Sequence, residues 1–169
     1  MQIDPILVVD DEIEMRIAIS ETLKFAEYPV EISNNAFDAI KKIKEKPYSL
    51  VISDMTMPQR SGLELLKDIK AFDLTIPVII SSAYATVETA VEALKHGAFD
   101  YIKKPIDFDS FLYVVKRALA NSELYTETQS FEIDDEDFDF TEEHFLTRNK
   151  NLLQILNIVE KISDINSIV

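Results

Sequence analysis

Five polar residues stand directly after short apolar segments, and their chemical types suit phosphoryl chemistry. They are Asp10, Asp11, Asp54, Ser82 and Lys104. Three carboxylates brought together repel, since each pair at ~4 Å costs about 4 kcal/mol at an effective dielectric near 20, so a cation must offset them. An all-oxygen site with few protein ligands suits Mg²⁺, which typically joins one or two carboxylates to a phosphate. With an ammonium and a hydroxyl beside it, such a site would stabilise a phosphoryl group on an aspartate.

The segments around these residues predict the sheet that must position them. Short β-branched runs alternate with stretches that have apolar residues at helical spacing, such as Ala36, Ala39, Ile40 and Ile43. Five strands alternating with five helices predict an α/β fold, a doubly wound (βα)5 parallel sheet of flavodoxin-like type. The predicted strands are residues 6–9, 30–33, 50–53, 78–81 and 101–102.

The carboxyl ends of parallel strands lie on one edge of the sheet, so the five polar residues are expected to converge on one rim. In open α/β sheets, ligands bind at that rim where the strand order reverses. For the flavodoxin-like order 2-1-3-4-5, the reversal lies between strands one and three, which deliver Asp10, Asp11 and Asp54. Gly97 follows an apolar-periodic segment and suits a left-handed residue after a helix end.

Composition excludes several other classes of protein. The chain has 169 residues, 31 acidic and 17 basic side chains, a net charge of −14 and no cysteine. The acidity argues against nucleic-acid binding and anionic membrane surfaces, and the lack of cysteine excludes disulfides and thiolate metal sites. The longest uncharged run, residues 74–87, is too short and too polar to span a bilayer, and the N-terminus does not resemble a signal peptide. We therefore expect a cytoplasmic protein.

Around residue 122 the character of the chain changes. Residues 126–143 hold nine acidic residues and no basic one, which predicts an extended linker at residues 122–146. Its phenylalanines leave open whether it is solvated or docks on a neighbouring surface. From residue 147, apolar residues at helical spacing predict a helix, and residues 165–169 could begin a strand that continues past Val169. Residues 1–121 carry a net charge of −5 and residues 122–169 a net charge of −9.

Four stretches together resemble the receiver domain of two-component response regulators. They are residues 6–12, residues 51–58 with Gly62, residues 81–83 and residues 97–105. The resemblance implies that Asp54 accepts a phosphoryl group from the phosphohistidine of a sensor histidine kinase. It also implies Mg²⁺ ligation by Asp11, Asp54 and the backbone carbonyl of Thr56, with Asp10 acting through water.

The same resemblance predicts how the signal spreads. Ser82 would turn toward the phosphoryl group, Tyr101 would swing inward, and Lys104 would contact the phosphoryl group. These movements would alter the surface formed by helix 4, strand 5 and helix 5, through which a homodimer is expected to form. The Lys104–Pro105 peptide bond is expected to be cis, an isomer that proline permits at a cost of only ~0.5–1 kcal/mol.

The end of the chain has a second resemblance. Residues 148–150 and 159–169 look like the opening of the central ATPase domain of NtrC-type, sigma-54-dependent activators. This gives a predicted organisation of receiver domain at 1–121, acidic linker at 122–146 and the start of an ATPase domain at 147–169. DNA and the sigma-54 polymerase are then expected partners of the full-length protein. With only two glycines, these 169 residues contain no P-loop.

Other interpretations of the same residues remain open at this stage. Asp10 and Asp11 also suit a helix N-terminal cap, and Tyr101 also suits a half-buried core position. A stand-alone receiver or scaffold module would lack the transcriptional output. A phosphatase of the haloacid dehalogenase type would need a second acid two residues after the nucleophile, where this chain has Thr56.

Overall fold

The computed structural model describes residues 4–129, with side chains for residues 4–121. Strands and helices alternate strictly along this part of the chain. The elements are β1 (Ile6–Val9), α1 (Ile13–Phe25), β2 (Val30–Ser33), α2 (Ala36–Glu45), β3 (Leu50–Asp54), α3 (Gly62–Phe72), β4 (Val78–Ser82), α4 (Val87–Lys95), β5 (Asp100–Lys103) and α5 (Phe108–Gln129).

All five strands belong to one parallel sheet in the order β2-β1-β3-β4-β5, which confirms the predicted fold class and strand order. Every residue of β1, β3 and β4 is buried. These three inner strands can be continuously apolar because helices cover both faces of the sheet. β5 is an edge strand of half-buried and exposed residues, and it is two residues longer than its weak apolar signal indicated.

Two apolar cores lie on the two faces of the sheet, because successive side chains of a strand point to opposite faces. Leu7 and Val9 pack with the buried residues of α2, α3 and α4. Ile6 and Val8 pack with the buried residues of α1 and α5, including Phe111. The sheet is thereby held rigidly between two helical layers, and its carboxyl edge is a fixed platform for side chains.

Local signals set several helix ends. Asn35 caps α2 through its side chain, and Ser61 and Thr86 form capping boxes at the starts of α3 and α4. Gly97 has φ +91°, which confirms the left-handed residue predicted after α4. The Lys104–Pro105 peptide bond is cis, as expected.

The helix α5 continues to Gln129, eight residues beyond the predicted domain boundary at residue 121. Residues 122–129, which the sequence assigned to the extended linker, are therefore helical. Only Glu123 and Glu127 are acidic in this stretch, so the repulsion that argues for an extended chain is weak there. The remainder of the predicted linker and the segment 147–169 lie outside the described residues. None of the described helices has both the length and the apolarity of a membrane span.

Candidate functional site

The carboxyl edge of the sheet carries the candidate site. Asp10 directly follows β1, Asp54 ends β3, Ser82 ends β4 and Lys104 directly follows β5. Backbone hydrogen bonds tie these ends to one another: Met55 N–H donates to the Ser81 carbonyl at 2.7 Å, and Lys104 N–H donates to the Ser82 carbonyl at 2.8 Å. The rim residues are therefore fixed by the pairing of the strands and not by loose loops.

Lys104 bridges the two buried carboxylates of the rim. Its Nζ lies 2.9 Å from Asp10 Oδ2 and 2.5 Å from Asp54 Oδ1. The side chains of Asp10 and Asp54 are 1% and 7% exposed, and that of Lys104 is 11% exposed. The cation that the carboxylates require is thus provided, in this structure, by the lysine ammonium. In water-excluded surroundings such charges interact much more strongly than they would at the surface.

Burial and the shared ammonium act in opposite directions on the pKa values of Asp54 and Lys104. Burial raises the pKa of Asp54, and the charge of Asp10 acts in the same direction, against the hydrogen bond and charge of Lys104. Burial by itself would lower the pKa of Lys104, but hydrogen bonds to Asp54 and Asp10 outweigh it and raise that pKa. The lysine gains two carboxylate partners and stays charged, whereas the hydrogen bonds that Asp54 accepts from Lys104 and Thr56 N–H do not offset its burial and the charge of Asp10.

Asp10 is held from three sides. Besides Lys104 on Oδ2, its Oδ1 accepts a hydrogen bond from Glu12 N–H at 2.9 Å. Its backbone carbonyl accepts one from the Arg16 guanidinium at 2.5 Å. Sequence reasoning missed Arg16, and the available signal was its place on α1, one turn after the acidic pair. These contacts fix the β1–α1 loop from which the next residue, Asp11, projects.

Asp54 is fixed by both its side chain and its backbone. Oδ2 accepts a hydrogen bond from Thr56 N–H at 2.7 Å, which orients the carboxylate that Lys104 holds through Oδ1. Gly62 N–H donates to the Met55 carbonyl at 2.9 Å, so the start of α3 lies directly against the end of β3. The carboxylate is therefore oriented in advance of any reaction, which is the condition for catalysis by positioning.

Asp11 stands apart from the buried pair, because its side chain is exposed to solvent. Within residues 4–121, no group of three or more Asp, Glu, His or Cys side chains surrounds a point that could hold a metal ion. The chemistry of the available donors nevertheless fits Mg²⁺, because all of them are oxygen atoms. They belong to the buried carboxylates of Asp10 and Asp54, the carboxylate of Asp11 and backbone carbonyls. Ligation by all three would require the exposed side chain of Asp11 to turn toward the rim.

The two predicted switch residues have different surroundings. Ser82 is buried at the rim, and its Oγ accepts a hydrogen bond from Tyr84 N–H at 3.1 Å. Tyr101 is half-buried on β5 and packs at the edge of the α2–α3–α4 core. Its hydroxyl lies 3.1 Å from the Oγ1 of Thr89 on α4, a partner that sequence reasoning did not identify.

Comparison with known proteins places this geometry in a family. The profile of the response regulator receiver domain matches residues 6–116. The chain is 46% identical over 123 residues to the transcriptional regulatory protein ZraR of Klebsiella oxytoca, which covers 73% of this chain and 28% of the relative. The curated relatives that it matches are much longer, and the matched part is between 25% and 28% of their lengths.

Solved structures agree with the sequence matches. The NtrX protein of Brucella abortus, solved in complex with ADP, is similar with a TM-score of 0.73 and 31% identity, over 80% of this chain and 31% of that chain. The beryllofluoride-activated NtrC4 receiver domain dimer is similar with a TM-score of 0.67 and 31% identity, over 70% of this chain and 98% of that chain. From the profile match, the strand order and the identity to these proteins, the chain belongs to the response regulator receiver domain family.

Proposed function

We propose that this domain accepts a phosphoryl group on Asp54 from the phosphohistidine of a sensor histidine kinase. The observation that carries the proposal is the buried carboxylate of Asp54, oriented by Thr56 N–H and by Lys104 at the carboxyl edge of the sheet. In the transfer, the nitrogen–phosphorus bond of the donor breaks, an oxygen–phosphorus bond forms on Asp54, and the leaving imidazole takes up a proton. Lys104 then neutralises part of the charge on the transferred group.

Mg²⁺ is the proposed cofactor, held by Asp11, Asp54 and the carbonyl of Thr56, with Asp10 acting through water. When bound, it would offset the charge of the phosphoryl oxygens and of the carboxylates. The protein's own part is to orient Asp54, to hold Asp10 with Arg16, and to supply the fixed charge of Lys104. Lys104, which bridges Asp10 and Asp54, would share these carboxylates with the metal ion.

The kinase is proposed to dock beside the rim on α1. Ile13 and Ile17 lie one helical turn apart, immediately after the acidic loop, and are 60% and 53% exposed. Large apolar side chains exposed at that spacing fit a partner helix in apolar contact. A helical donor domain seated there would bring its phosphohistidine to Asp54.

Phosphorylation is proposed to change self-association through α4. Val87, Val91 and Leu94 form an exposed apolar stripe on this helix, and Tyr113 of α5 is 65% exposed. The NtrC4 receiver, activated with beryllofluoride, was solved as a dimer, which favours a second copy of this chain as the occupant of the stripe. Moving such a switch from 1:99 to 99:1 requires about 5.5 kcal/mol of differential stabilisation.

The output is proposed to be that of an NtrC-type, sigma-54-dependent activator.

Phosphoryl labelling tests the proposed acceptor directly. Incubation with acetyl phosphate and Mg²⁺, followed by intact-mass measurement, is expected to add one phosphoryl group to the wild-type protein and none to Asp54→Asn. Asp109→Asn is a matched control, since Asp109 is an exposed aspartate in the first turn of α5. Labelling of Asp54→Asn to the wild-type extent would show that Asp54 is not the acceptor.

A further inference from the structure

One hydroxyl of the capping box of α4, that of Thr89, also contacts the predicted switch residue Tyr101. Thr86 and Thr89 form the box: Thr89 N–H donates to Thr86 Oγ1 at 3.3 Å, and Thr86 N–H donates to Thr89 Oγ1 at 3.1 Å. The same Thr89 Oγ1 lies 3.1 Å from the Tyr101 hydroxyl. One oxygen atom therefore joins the start of α4 to β5.

Counting protons and lone pairs shows how fully the Thr89 hydroxyl is used. A threonine hydroxyl has one proton and two acceptor positions. Thr89 Oγ1 can donate to the Thr86 carbonyl at 3.1 Å, and it accepts a hydrogen bond from Thr86 N–H. The other two partners of Thr89 Oγ1 are hydroxyl groups, Thr86 Oγ1 at 3.3 Å and Tyr101 at 3.1 Å, and either atom of each pair can be the donor. Within this arrangement the hydroxyl of Thr89 is fully used.

The helix α4 depends on such contacts more than its neighbours do. It has nine residues, and Ala93 is its one buried residue. Val87, at its first position, is 76% exposed. A short helix with little buried apolar surface is easily loosened at its end, so the hydrogen bonds of its first turn matter to its stability.

We infer that Thr89 is a positioning residue for the switch, whose hydroxyl holds the Tyr101 ring against α4 in the unphosphorylated domain. Because that hydroxyl also closes the capping box, movement of the ring away from α4 weakens the first turn of the helix. The inference rests on the proposed function, in which Tyr101 moves inward when Asp54 is phosphorylated. It adds that Thr89 resists this movement and that the first turn of α4 loosens when the movement occurs.

Removing the Thr89 hydroxyl therefore favours the active arrangement. For Thr89→Val, which keeps the shape of the side chain, we expect beryllofluoride in the presence of Mg²⁺ to bind up to about fivefold more tightly, the value of one net hydrogen bond. Thr89→Ser keeps the hydroxyl and is expected to bind as the wild type does. Tyr101→Phe loses the other partner, and adding Thr89→Val to it is expected to change the affinity no further.

Calorimetric titration of these four proteins and the wild type decides between the outcomes, with amide exchange of residues 87–90 as a second measurement. In the wild type, exchange there is expected to rise when beryllofluoride binds, and Thr89→Val should show the faster exchange before binding. Equal affinities for the wild type and Thr89→Val, or unchanged exchange on binding, would overturn the role of Thr89 alone. Absence of beryllofluoride binding in the wild type would instead overturn the proposed function and this inference together.

Discussion

A Cβ atom built on Gly62 would lie 2.0 Å from the backbone oxygen of Asp54 and 2.9 Å from its carbonyl carbon. The first residue of α3 thus contacts the backbone of the proposed acceptor with no space between them. We expect Gly62→Ala to lower the free energy of unfolding by about 3 kcal/mol and to slow labelling of Asp54, because the strand end must shift. Urea unfolding and the labelling rate measure the two effects.

Gly97 is the matched control for that substitution. The three atoms nearest to a Cβ there all belong to the flexible side chain of Lys70, at 3.4 to 3.5 Å, but the residue has φ +91°. Gly97→Ala should therefore lower the free energy of unfolding by only about 1 kcal/mol, the cost of a left-handed residue with a side chain. Asp54 of this variant should be labelled at the wild-type rate. Equal losses in the two variants would show that the approach to Asp54 is not what requires Gly62.

Lys104→Met tests the bridge between Asp10 and Asp54. The substitution leaves two buried carboxylates without their cation, and we expect the free energy of unfolding to fall by about 3 kcal/mol in Mg²⁺-free buffer. Millimolar Mg²⁺ should narrow the difference from the wild type, because the ion can replace the missing charge. Lys103→Met, at the exposed neighbouring position, should lose little in either buffer. A loss that Mg²⁺ does not reduce would argue against a metal site at this rim.

Asp38 gives the clearest dependence of stability on pH. Its Oδ2 accepts a hydrogen bond from Ser33 at 2.6 Å and lies 3.0 Å from Lys42 Nζ, and the serine and then the lysine lower its pKa below 3.8. Stability from a lowered carboxyl pKa is present above the unfolded value and lost as the pH falls through the folded one. Asp38→Asn should thus cost about 1 kcal/mol at neutral pH, and the difference should close below pH 3.8.

The measurement for Asp38 is urea unfolding as a function of pH. Glu45→Gln on the same helix is the control, since its partner Lys41 lies 4.0 Å away with both side chains mostly exposed. That substitution should change stability by less than about 0.5 kcal/mol. A difference for Asp38→Asn that persists at low pH would mean that its cause is not the ionised carboxylate.

Ile17→Ser tests the proposed docking site of the kinase. We expect transfer from a phosphorylated histidine kinase to slow by about tenfold, as when an apolar contact is lost at an interface, with no change in labelling by acetyl phosphate. Phe25→Ser is the control on the same helix, because Phe25 is 93% exposed at the opposite end. If the substitution slowed transfer from the kinase and labelling by acetyl phosphate equally, the effect would be on the acceptor site and not on docking.

Val91→Asp tests the stripe on α4 as the dimer surface. Light scattering should show a doubled mass for the wild-type protein with beryllofluoride and a single-chain mass for the variant, because a charge would be buried in the interface. Phe72→Asp, at an exposed phenylalanine of α3, should double its mass as the wild type does. Equal masses with and without beryllofluoride in the wild type would count against dimerisation through phosphorylation.

Much of the fold could be predicted from the sequence because the inner strands carry an unusually direct signal. Residues 6–9 and 78–80 are continuously apolar, and both segments are fully buried strands. The alternation with helical spacing then predicts parallel strands, and the position of Asp54 and Lys104 at strand ends follows. β5 is longer than its sequence pattern predicts, since an edge strand is only half-buried and lacks a continuous apolar run.

The contacts that the sequence did not reveal join neighbouring elements of the chain. Arg16 reaches back to the Asp10 carbonyl, and Thr89 meets Tyr101 across two elements. The position of Arg16 on α1 is a weak signal and Thr89 has none, because each contact depends on how a helix is placed over the sheet. In the sequence Gly62 is only one part of a motif, and the structure gives the reason for the glycine: no side chain fits against Asp54.

The length of α5 has a practical consequence for chimeric proteins. Its 22 residues make a helix about 33 Å long, and the change in composition at residue 122 falls inside it. A splice at residue 121 would join a foreign segment in mid-helix, where each inserted or deleted residue rotates everything downstream by about 100°. Receiver exchanges designed with this chain should therefore keep α5 through Gln129 and preserve its helical phase.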